Sequence, residues 1–223
     1  MAESTPAPAP SPLLVAITGG SASGKTMLAA RLAARLSHLR PAVVHQDRYF
    51  RAWPPEEADR RTANAPEAVL WEALRADLAA LAAGRRIGPP PRARPGDPEA
   101  TGTEAGPVVL VEGHLLLWDA GVRELCGLKV YLDAPDEERV VRRLLRDAAH
   151  GADLERAAAW LRRDVLANHR RYTAPTRWWA DLVLPADPVS PAAFESLAAA
   201  VEHLAAAPVP TAPPHPPGKG DSY

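Results

Sequence analysis

One octapeptide near the start of the 223-residue chain constrains its fold more than any other feature. It fits the pattern G-x-x-x-x-G-K-[ST], and its residues are Gly19, Gly20, Ser21, Ala22, Ser23, Gly24, Lys25 and Thr26. The glycines allow a tight curl in which successive backbone N–H groups face one anion. In such a loop Lys25 can reach the outer phosphates of a nucleotide, and the Thr26 hydroxyl can ligate Mg²⁺.

The segments on either side of the octapeptide have the periodicities that a phosphate-binding loop needs. An apolar run at residues 13–18 predicts a buried parallel strand. After the loop, Leu28, Leu32 and Leu36 recur at every fourth position, which predicts a helix. A chance match within a linker rich in glycine, serine and alanine would lack both elements. We therefore favour a strand–loop–helix unit with a bound nucleotide phosphate.

The rest of the chain alternates apolar runs with amphipathic stretches. The predicted further strands are 41–45, 107–113, 128–133 and 181–185, and the predicted helices are 66–83, 137–149, 153–171 and 191–206. Such alternation predicts an α/β sandwich with a mainly parallel central sheet and helices on both faces. Proline-rich ends at 1–12 and 207–223 predict disordered tails around a folded domain at 13–206.

Composition limits the classes of binding partner and the cellular compartment that we expect for this chain. The formal charge is −1, which argues against a nucleic-acid partner, and the single cysteine, Cys126, excludes an intrachain disulfide. We find no signal peptide and no apolar run approaching the ~18 residues that span a bilayer. The sequence therefore predicts a cytoplasmic protein without a membrane partner.

Carboxylates stand at the predicted ends of several strands. Because the carboxyl ends of parallel strands meet at one edge, Asp47 and Glu112 should border the same crevice as the loop. Glu112 is the candidate that completes an Mg²⁺ site with Thr26, although it could be a solvated strand-end carboxylate. Asp47 is the candidate base for an acceptor hydroxyl, or else it closes the turn after its strand.

The predicted helix 137–149 has two chemically different faces. The predicted core face carries Val140, Val141, Leu144, Leu145 and Ala148, and the opposite face carries Arg139, Arg142, Arg143 and Arg146. We find no acidic residue alternating with these arginines inside the helix. Because guanidinium groups can clamp the oxygens of a transferring phosphoryl group, we favour a catalytic role, above all for Arg142 and Arg146.

Two aromatic pairs leave alternatives open. Tyr49 and Phe50 follow the candidate base and either line an acceptor pocket or belong to the core. Trp178 and Trp179 could stack on a nucleobase, but packing of one ring under the last strand is the favoured interpretation.

Together these motifs resemble the uridine kinase family, within the uridine kinase/phosphoribulokinase group of P-loop kinases. Besides the loop, Gln46–Phe50 is similar to the family's Q-D-S-F-Y segment, and Glu112–Leu116 is similar to E-G-I-L-A. Lys129–Asp147 resembles the strand and lid-side helix, and Pro175–Asp181 resembles P-T-K-K-Y-A-D. The likeness runs in order from about residue 13 to residue 186.

The resemblance implies a P-loop kinase-like three-layer fold with a small lid. It implies ATP and Mg²⁺ as cofactors, with phosphoryl transfer to a sugar 5′-hydroxyl of a small acceptor such as a nucleoside. Lys25 would contact phosphate, Thr26 and Glu112 would hold Mg²⁺, and Asp47 would be the base. The arginines of the 139–146 helix, including Arg139, would contact phosphates or sugar. Relatives of this kind often assemble into oligomers, so a homo-oligomer is an open expectation.

The departures from the family pattern fall mostly on the acceptor side. Where the family has F-D-H-P, with an acid that holds ribose hydroxyls, this chain has Asn64, which can hydrogen-bond but carries no charge. The nucleobase segment has no match in 87–97, and the lid's G-R-D reads as Gly, Ala and Asp at 151–153. His114 replaces a small apolar residue.

Three hypotheses follow from these matches and departures. The first is an ATP-dependent kinase acting on a nucleoside. The second keeps the chemistry and changes the acceptor to nicotinamide riboside, another nucleoside or a specialised metabolite. The third is a nucleotide-binding regulatory protein without turnover.

Overall fold

A parallel sheet of five strands, in the order β2-β3-β1-β4-β5, forms the centre of the molecule. The computed structural model describes residues 11–54, 56, 62–186 and 188–207. The strands are β1 (Leu13–Gly19), β2 (Ala42–His45), β3 (Val108–Glu112), β4 (Leu128–Asp133) and β5 (Leu182–Pro185). The helices are α1 (Lys25–Arg35), α2 (Trp71–Ala82), α3 (Ala120–Leu125), α4 (Asp136–Ala149), α5 (Leu154–Trp160) and α6 (Pro191–Ala206). The predicted α/β sandwich with a parallel sheet is confirmed.

Helices cover both faces of the central strands, and successive side chains of a strand point to opposite faces, so each strand contributes to two cores. Leu14 and Ala16 join the core that contains the leucines of α2. Val15 and Ile17 join the second core, which contains residues of α1 and α6. The near-continuous apolar sequence of β1 and β3 is the pattern expected of strands covered by helices on both sides.

The register of the strands brings the ends of β1, β2 and β3 to the same level. Glu112, the last residue of β3, is paired with Ile17 of β1 and with His45 at the end of β2. In a parallel sheet, residues paired in register project their side chains to the same face. The segments that follow β1, β2 and β3 therefore leave the sheet at one edge, and the candidate site lies there.

The predicted helix 66–83 begins five residues late. Pro66–Ala68 form a 3₁₀ turn and α2 starts at Trp71. Val69 makes an antiparallel bridge with Phe50, and the Leu70 N–H donates to the Tyr49 carbonyl at 2.7 Å. The Leu70 N–H is therefore used outside the helix, and the helical ladder starts at the Leu70 carbonyl, which accepts from the Leu74 N–H at 3.1 Å.

The predicted helix 153–171 is divided into segments of different pitch. Asp153 caps α5 by accepting from the Arg156 N–H at 3.0 Å, and the chain then continues as two π-helical segments, Leu161–Leu166 and His169–Thr173. A 3₁₀ helix, Ala174–Trp179, leads into β5.

The expected division of α4 into an apolar core face and an arginine face is wrong. Val141 and Leu145 are 53% and 66% exposed, whereas Arg139 is only 2% exposed. Asp136 is the first residue of this helix, one residue before the predicted start, and it pairs with Arg139. The helix packs at the rim of the cleft rather than flat on the sheet, so its apolar positions gain little burial.

None of the helices in the described ranges is both long and apolar enough to cross a lipid bilayer. The tails predicted at 1–12 and 207–223 lie outside the described residues, apart from residues 11, 12 and 207.

Candidate active site

The octapeptide forms a compact turn between β1 and α1. Gly19 has φ of 142°, and a Cβ at this position would lie 2.5 Å from the Leu132 carbonyl oxygen. Ser23 donates its backbone N–H to the Gly20 carbonyl at 3.1 Å, and its buried Oγ has no hydrogen-bond partner among the described residues. An unpaired hydroxyl beside a helix N-terminus is a suitable donor for phosphate oxygens, so the loop fits the group that its motif predicts.

Lys25 lies within this loop, and its charge is close to two carboxylates. Its Nζ donates to the Gly20 carbonyl at 2.8 Å, and the side chain is buried. Burial lowers the pKa of Lys25, while the charges of Glu112 and Asp47 act in the opposite direction. Asp47 and Glu112 therefore lie near enough to Lys25 to influence its ionisation, as the topology predicts for one shared edge.

Thr26 and Glu112 contact each other directly. The Thr26 hydroxyl donates to Glu112 Oε1 at 3.2 Å, and His45 Nδ1 lies 2.8 Å from the same oxygen. Burial tends to raise the pKa of Glu112, but the hydrogen bond from His45 and the charge of Lys25 outweigh it and lower the pKa. A hydroxyl and an ionised carboxylate at the end of the loop are oxygen donors of the type that Mg²⁺ requires.

His45 is a site residue that the sequence analysis missed. Its hydrogen bond to Glu112 raises the pKa of the imidazole, against the effect of burial. On the opposite side, its Nε2 lies 3.7 Å from Oε1 of the buried Glu99. The available signal was positional, because His45 ends β2 just as Glu112 ends β3.

Gly113 is required by packing rather than by a ligand. A Cβ here would lie 2.4 Å from Cβ and Oε1 of Gln46. Gln46 is fully buried, and its Oε1 accepts a hydrogen bond from the Leu115 N–H at 3.0 Å. The small residue after Glu112 thus lets β2 and β3 approach each other beside the candidate base.

A cleft of about 1880 Å³ opens above these residues. Lys25, Thr26, Asp47 and Glu112 all line it, and so do the predicted substrate residues Phe50 and Asn64. The Phe50 ring packs against His114, with their ring centroids 5.7 Å apart. Burial lowers the pKa of His114 to about 4, and this histidine borders the same cleft.

The structure places Tyr49 elsewhere. Its side chain is 1% exposed and does not line the cleft, and its hydroxyl donates to Asp77 Oδ2 at 2.7 Å. Of the two interpretations left open for this residue, the core position is the one observed.

The arginines of α4 do not act as a single face. Arg142, Arg143 and Arg146 line the cleft, and Arg143 Nη1 donates to the Ser21 hydroxyl at 3.0 Å. Arg139 instead lies behind the loop, where Nη1 donates to the Ser21 carbonyl at 3.3 Å. Arg139 does not line the cleft, and its buried guanidinium supports the loop itself, so the geometry does not favour the predicted contact of Arg139 with substrate.

Acidic residues also pair with these arginines, contrary to the sequence analysis. Arg143 Nε lies 2.9 Å from Asp147 Oδ2, and Arg142 lies 3.9 Å from Glu138. The cleft nonetheless remains strongly cationic. The arginines that line it in the described part of the chain are Arg31, Arg48, Arg92, Arg94, Arg142, Arg143, Arg146, Arg156 and Arg163.

Trp178 and Trp179 fit neither interpretation offered for them. They are 92% and 55% exposed, and neither lines the cleft. The guanidinium of Arg123 lies 4.4 Å from the centroid of the Trp179 ring. Trp160, which the sequence analysis did not single out, lines the cleft instead.

Comparison with known proteins identifies the family. Residues 14–192 match the model of the phosphoribulokinase/uridine kinase family. The chain belongs to this family. A uridine kinase of Chloroflexus aggregans is 31% identical over 198 residues, which cover 86% of this chain and 95% of that protein. A uridine kinase of Mycoplasma pneumoniae is 31% identical over 199 residues, covering 86% of this chain and 93% of that protein.

Solved structures agree with this placement. A protein from Silicibacter sp. TM1040, provisionally described as a fructose transport system kinase, has a TM-score of 0.59 and 27% identity, covering 79% of this chain and 91% of that one. Phosphoribulokinase from Rhodobacter spheroides has a TM-score of 0.54 at 16% identity, covering 78% of this chain and 70% of that one. This likeness supports the fold alone. The P-loop kinase fold and the expected class of enzyme, a phosphotransferase acting on a hydroxyl group, are confirmed at the level of the family.

Proposed function

We propose that this protein is an ATP- and Mg²⁺-dependent kinase that transfers the γ-phosphoryl group to a hydroxyl of a small acceptor, in the first instance the 5′-hydroxyl of a nucleoside. One observation carries the proposal: Asp47 borders the same cleft as Lys25 and as the hydrogen-bonded pair Thr26 and Glu112. Phosphoryl transfer needs a phosphate cradle, metal ligands and a proton acceptor together, and these residues supply all three.

Each residue has a defined part in the proposed reaction. Lys25 exchanges its bond to the Gly20 carbonyl for oxygens of the triphosphate, and Arg142 and Arg146 compensate charge on the phosphates. Thr26 and Glu112 would hold Mg²⁺, which when bound neutralises charge on the phosphate oxygens. Asp47 accepts the proton of the acceptor hydroxyl while that oxygen bonds to phosphorus and ADP leaves.

A second class of compound is also a candidate for the phosphoryl acceptor. Asn64 and His114 line the cleft where the family pattern has an acid and a small apolar residue. One structural relative is described as a kinase of a fructose transport system. These observations favour a sugar or another polyol as the alternative acceptor, with the same chemistry.

An ADP-release assay with a panel of nucleosides and sugars tests the proposal. Asp47→Asn should lower turnover by about 10²–10⁴-fold while ATP still binds, because only the proton acceptor is lost. Lys25→Ala should weaken both ATP binding and turnover. Glu195→Gln is the control, since this carboxylate is exposed on α6 and pairs with Arg35. Unchanged turnover in Asp47→Asn removes Asp47 as the base, and ATP binding without turnover of any acceptor contradicts the kinase proposal.

A further inference from the structure

Four aromatic side chains that take no part in the proposed reaction lie together at the surface. Trp118, Trp178 and Trp179 are 43%, 92% and 55% exposed. The ring of Trp118 packs edge to face against Tyr172, with the ring centroids 5.1 Å apart. None of the four lines the cleft, and we call them the aromatic patch. Large exposed rings that are grouped in this way mark an interaction surface.

Arg123 connects the two halves of the aromatic patch. Its Nη1 donates to the carbonyls of Leu117 at 2.8 Å and Trp118 at 2.9 Å, and its guanidinium carbon lies 4.4 Å from the centroid of the Trp179 ring. These contacts fix the guanidinium and hold the Trp179 ring against it. The patch is therefore preformed, so a ligand does not have to order it.

The indole N–H groups of the aromatic patch are available to a ligand. Among the described residues, the indoles that donate to a protein carbonyl are those of Trp53 and Trp71. The carbonyl groups of a polyproline II segment make no internal hydrogen bond, so they can accept from such donors. Aromatic-lined surfaces are the type of surface that binds proline-rich segments.

The proline-rich segment after α6 has a pattern that suits this surface. Pro210, Pro213 and Pro216 recur at every third position. Because a polyproline II helix has three residues per turn, these three rings would share one face. The prolines of residues 6–12 recur at every second position instead and would not share a face. The spacing therefore selects the segment after α6 over the one before β1.

The helix α6 ends at the edge of the sheet where the aromatic patch lies. Its Glu202 Oε1 is 3.3 Å from Nη1 of Arg35, which ends α1 far from the phosphate-binding loop. Trp179 comes three residues before β5, so it also lies at the amino ends of the strands. Residues 208–216 span about 28 Å when extended at ~3.1 Å per residue. Five strands at a spacing of about 4.8 Å are only about 20 Å wide, so the segment can reach the patch.

We propose that residues 210–217 dock on the aromatic patch of the same chain, with Pro210, Pro213 and Pro216 against its rings. The tether makes the contact intramolecular, at an effective concentration of the order of millimolar, so a weak contact is sufficient. A polyproline II segment also loses little conformational entropy on binding. The proposal does not depend on the proposed kinase function.

Paramagnetic broadening in the 223-residue chain tests the proposal. The probe is a nitroxide on Thr211→Cys, and the observed signals are the indole N–H resonances of the ¹⁵N-labelled protein. Cys126 stays unlabelled because it is buried, and burial raises the pKa of its thiol to about 12. The signals of Trp178 and Trp179 should broaden. The signal of Trp160, which lines the cleft at the opposite edge of the sheet, should not.

Two sets of proline substitutions test which face of the segment is used. Pro210→Ala/Pro213→Ala/Pro216→Ala removes the three rings of the docking face and should abolish most of the broadening. Pro214→Ala/Pro217→Ala is the matched control, because it removes rings from another face of the same segment and should retain most of the broadening. Both variants lose prolines from one segment, so a change in its stiffness alone does not explain a difference between them.

The outcomes are distinguishable. Trp178→Ala should lower the equilibrium constant for docking by about 10-fold, and it should fold normally because the side chain is exposed. Absence of broadening at the patch overturns the proposal, as does equal broadening in the two proline variants or unchanged broadening in Trp178→Ala. In a mixture of nitroxide-labelled ¹⁴N protein with nitroxide-free ¹⁵N protein, broadening of the patch signals would identify a second copy as the occupant and would also overturn it.

Discussion

Replacing His45 by alanine probes how the candidate metal ligand is held. Glu112 Oε1 accepts from Thr26 at 3.2 Å and from His45 Nδ1 at 2.8 Å. Removal of the imidazole leaves the longer bond alone, and the carboxylate gains rotational freedom. The orientation of Glu112 toward a cation would then depend on Thr26, which is expected to ligate the same cation.

The expected loss can be estimated from the geometry. A hydrogen bond to a charged group contributes about 1.5–3 kcal/mol to stability. Because the His45 side chain is 29% exposed, we take the lower end, about 1.5 kcal/mol, which corresponds to roughly 10-fold in affinity. Substitution of residues that orient metal ligands typically weakens metal binding by about 10–100-fold, so the two estimates agree.

The assay is Mn²⁺ binding followed by electron paramagnetic resonance in the presence of ADP. His45→Ala should raise the apparent Kd for Mn²⁺ by about 10-fold, while ADP binding without metal stays unchanged. His45→Asn, whose amide can still donate, should recover part of the loss. The control is His38→Ala, because His38 is 57% exposed and contacts Glu202 at 3.5 Å. Metal affinity within 2-fold of wild type in a folded His45→Ala protein would refute this account of Glu112.

Three further predictions concern stability, measured by urea denaturation. Burial, with the charge of Arg139, lowers the pKa of His169 to about 4. Between pH 6.5 and about 4 the unfolded chain therefore binds a proton that the folded chain does not. The free energy of unfolding should fall by about 1.4 kcal/mol for each unit by which the pH decreases in this range. His169→Phe should remove that part of the slope, and an identical slope in the variant contradicts the assignment. Gly113→Ala should cost about 2–3 kcal/mol because its Cβ would overlap Gln46. Gly88→Ala, where a Cβ meets nothing within 4 Å, should be nearly neutral, and equal effects of the two would count against the packing argument. Tyr49→Phe should cost about 2 kcal/mol by leaving Asp77 without its hydroxyl donor, and an unchanged denaturation midpoint would show that this bond is dispensable.

The strand ends were predictable because two local signals agreed there. Apolar runs that end in a polar residue gave the positions of Asp47 and Glu112, and the rule for parallel sheets placed them at one edge. The octapeptide also showed that the phosphate-binding loop lies at this same edge, because it follows β1 directly. These inferences need only the order of the elements, and the order was correct for the described residues.

Helical faces were harder to predict because periodicity does not reveal what a helix packs against. The pattern of α4 predicted burial for Val141 and Leu145 and exposure for Arg139, and the structure has the reverse. The helix lies beside the phosphate loop, where carbonyl groups and Asp136 make a buried guanidinium favourable. A contact with a distant segment of the chain determined the outcome, and the local sequence does not contain that information.

The burial of Asp164, in the first π-helical segment, was missed for a related reason. Its partners Thr62 and Asn64 are about one hundred residues away in sequence, and no motif links them. A single carboxylate in an amphipathic helix is normally a solvated residue. Only the tertiary contact between the first π-helical segment and the loop after β2 shows it to be buried.

The π-helical turns beyond α5 have a consequence for how this region tolerates insertions and deletions. A turn of this kind contains one residue more than an α-helical turn. Because the wide turn accommodates the extra residue, deleting a single residue from Leu161–Leu166 would restore ordinary pitch and leave the orientation of the downstream segment nearly unchanged. The same deletion within α5 would instead rotate Asn168 and His169 by about 100° about the helix axis. A deletion of one residue should therefore be better tolerated in the wide turn than in the α-helical turns that precede it.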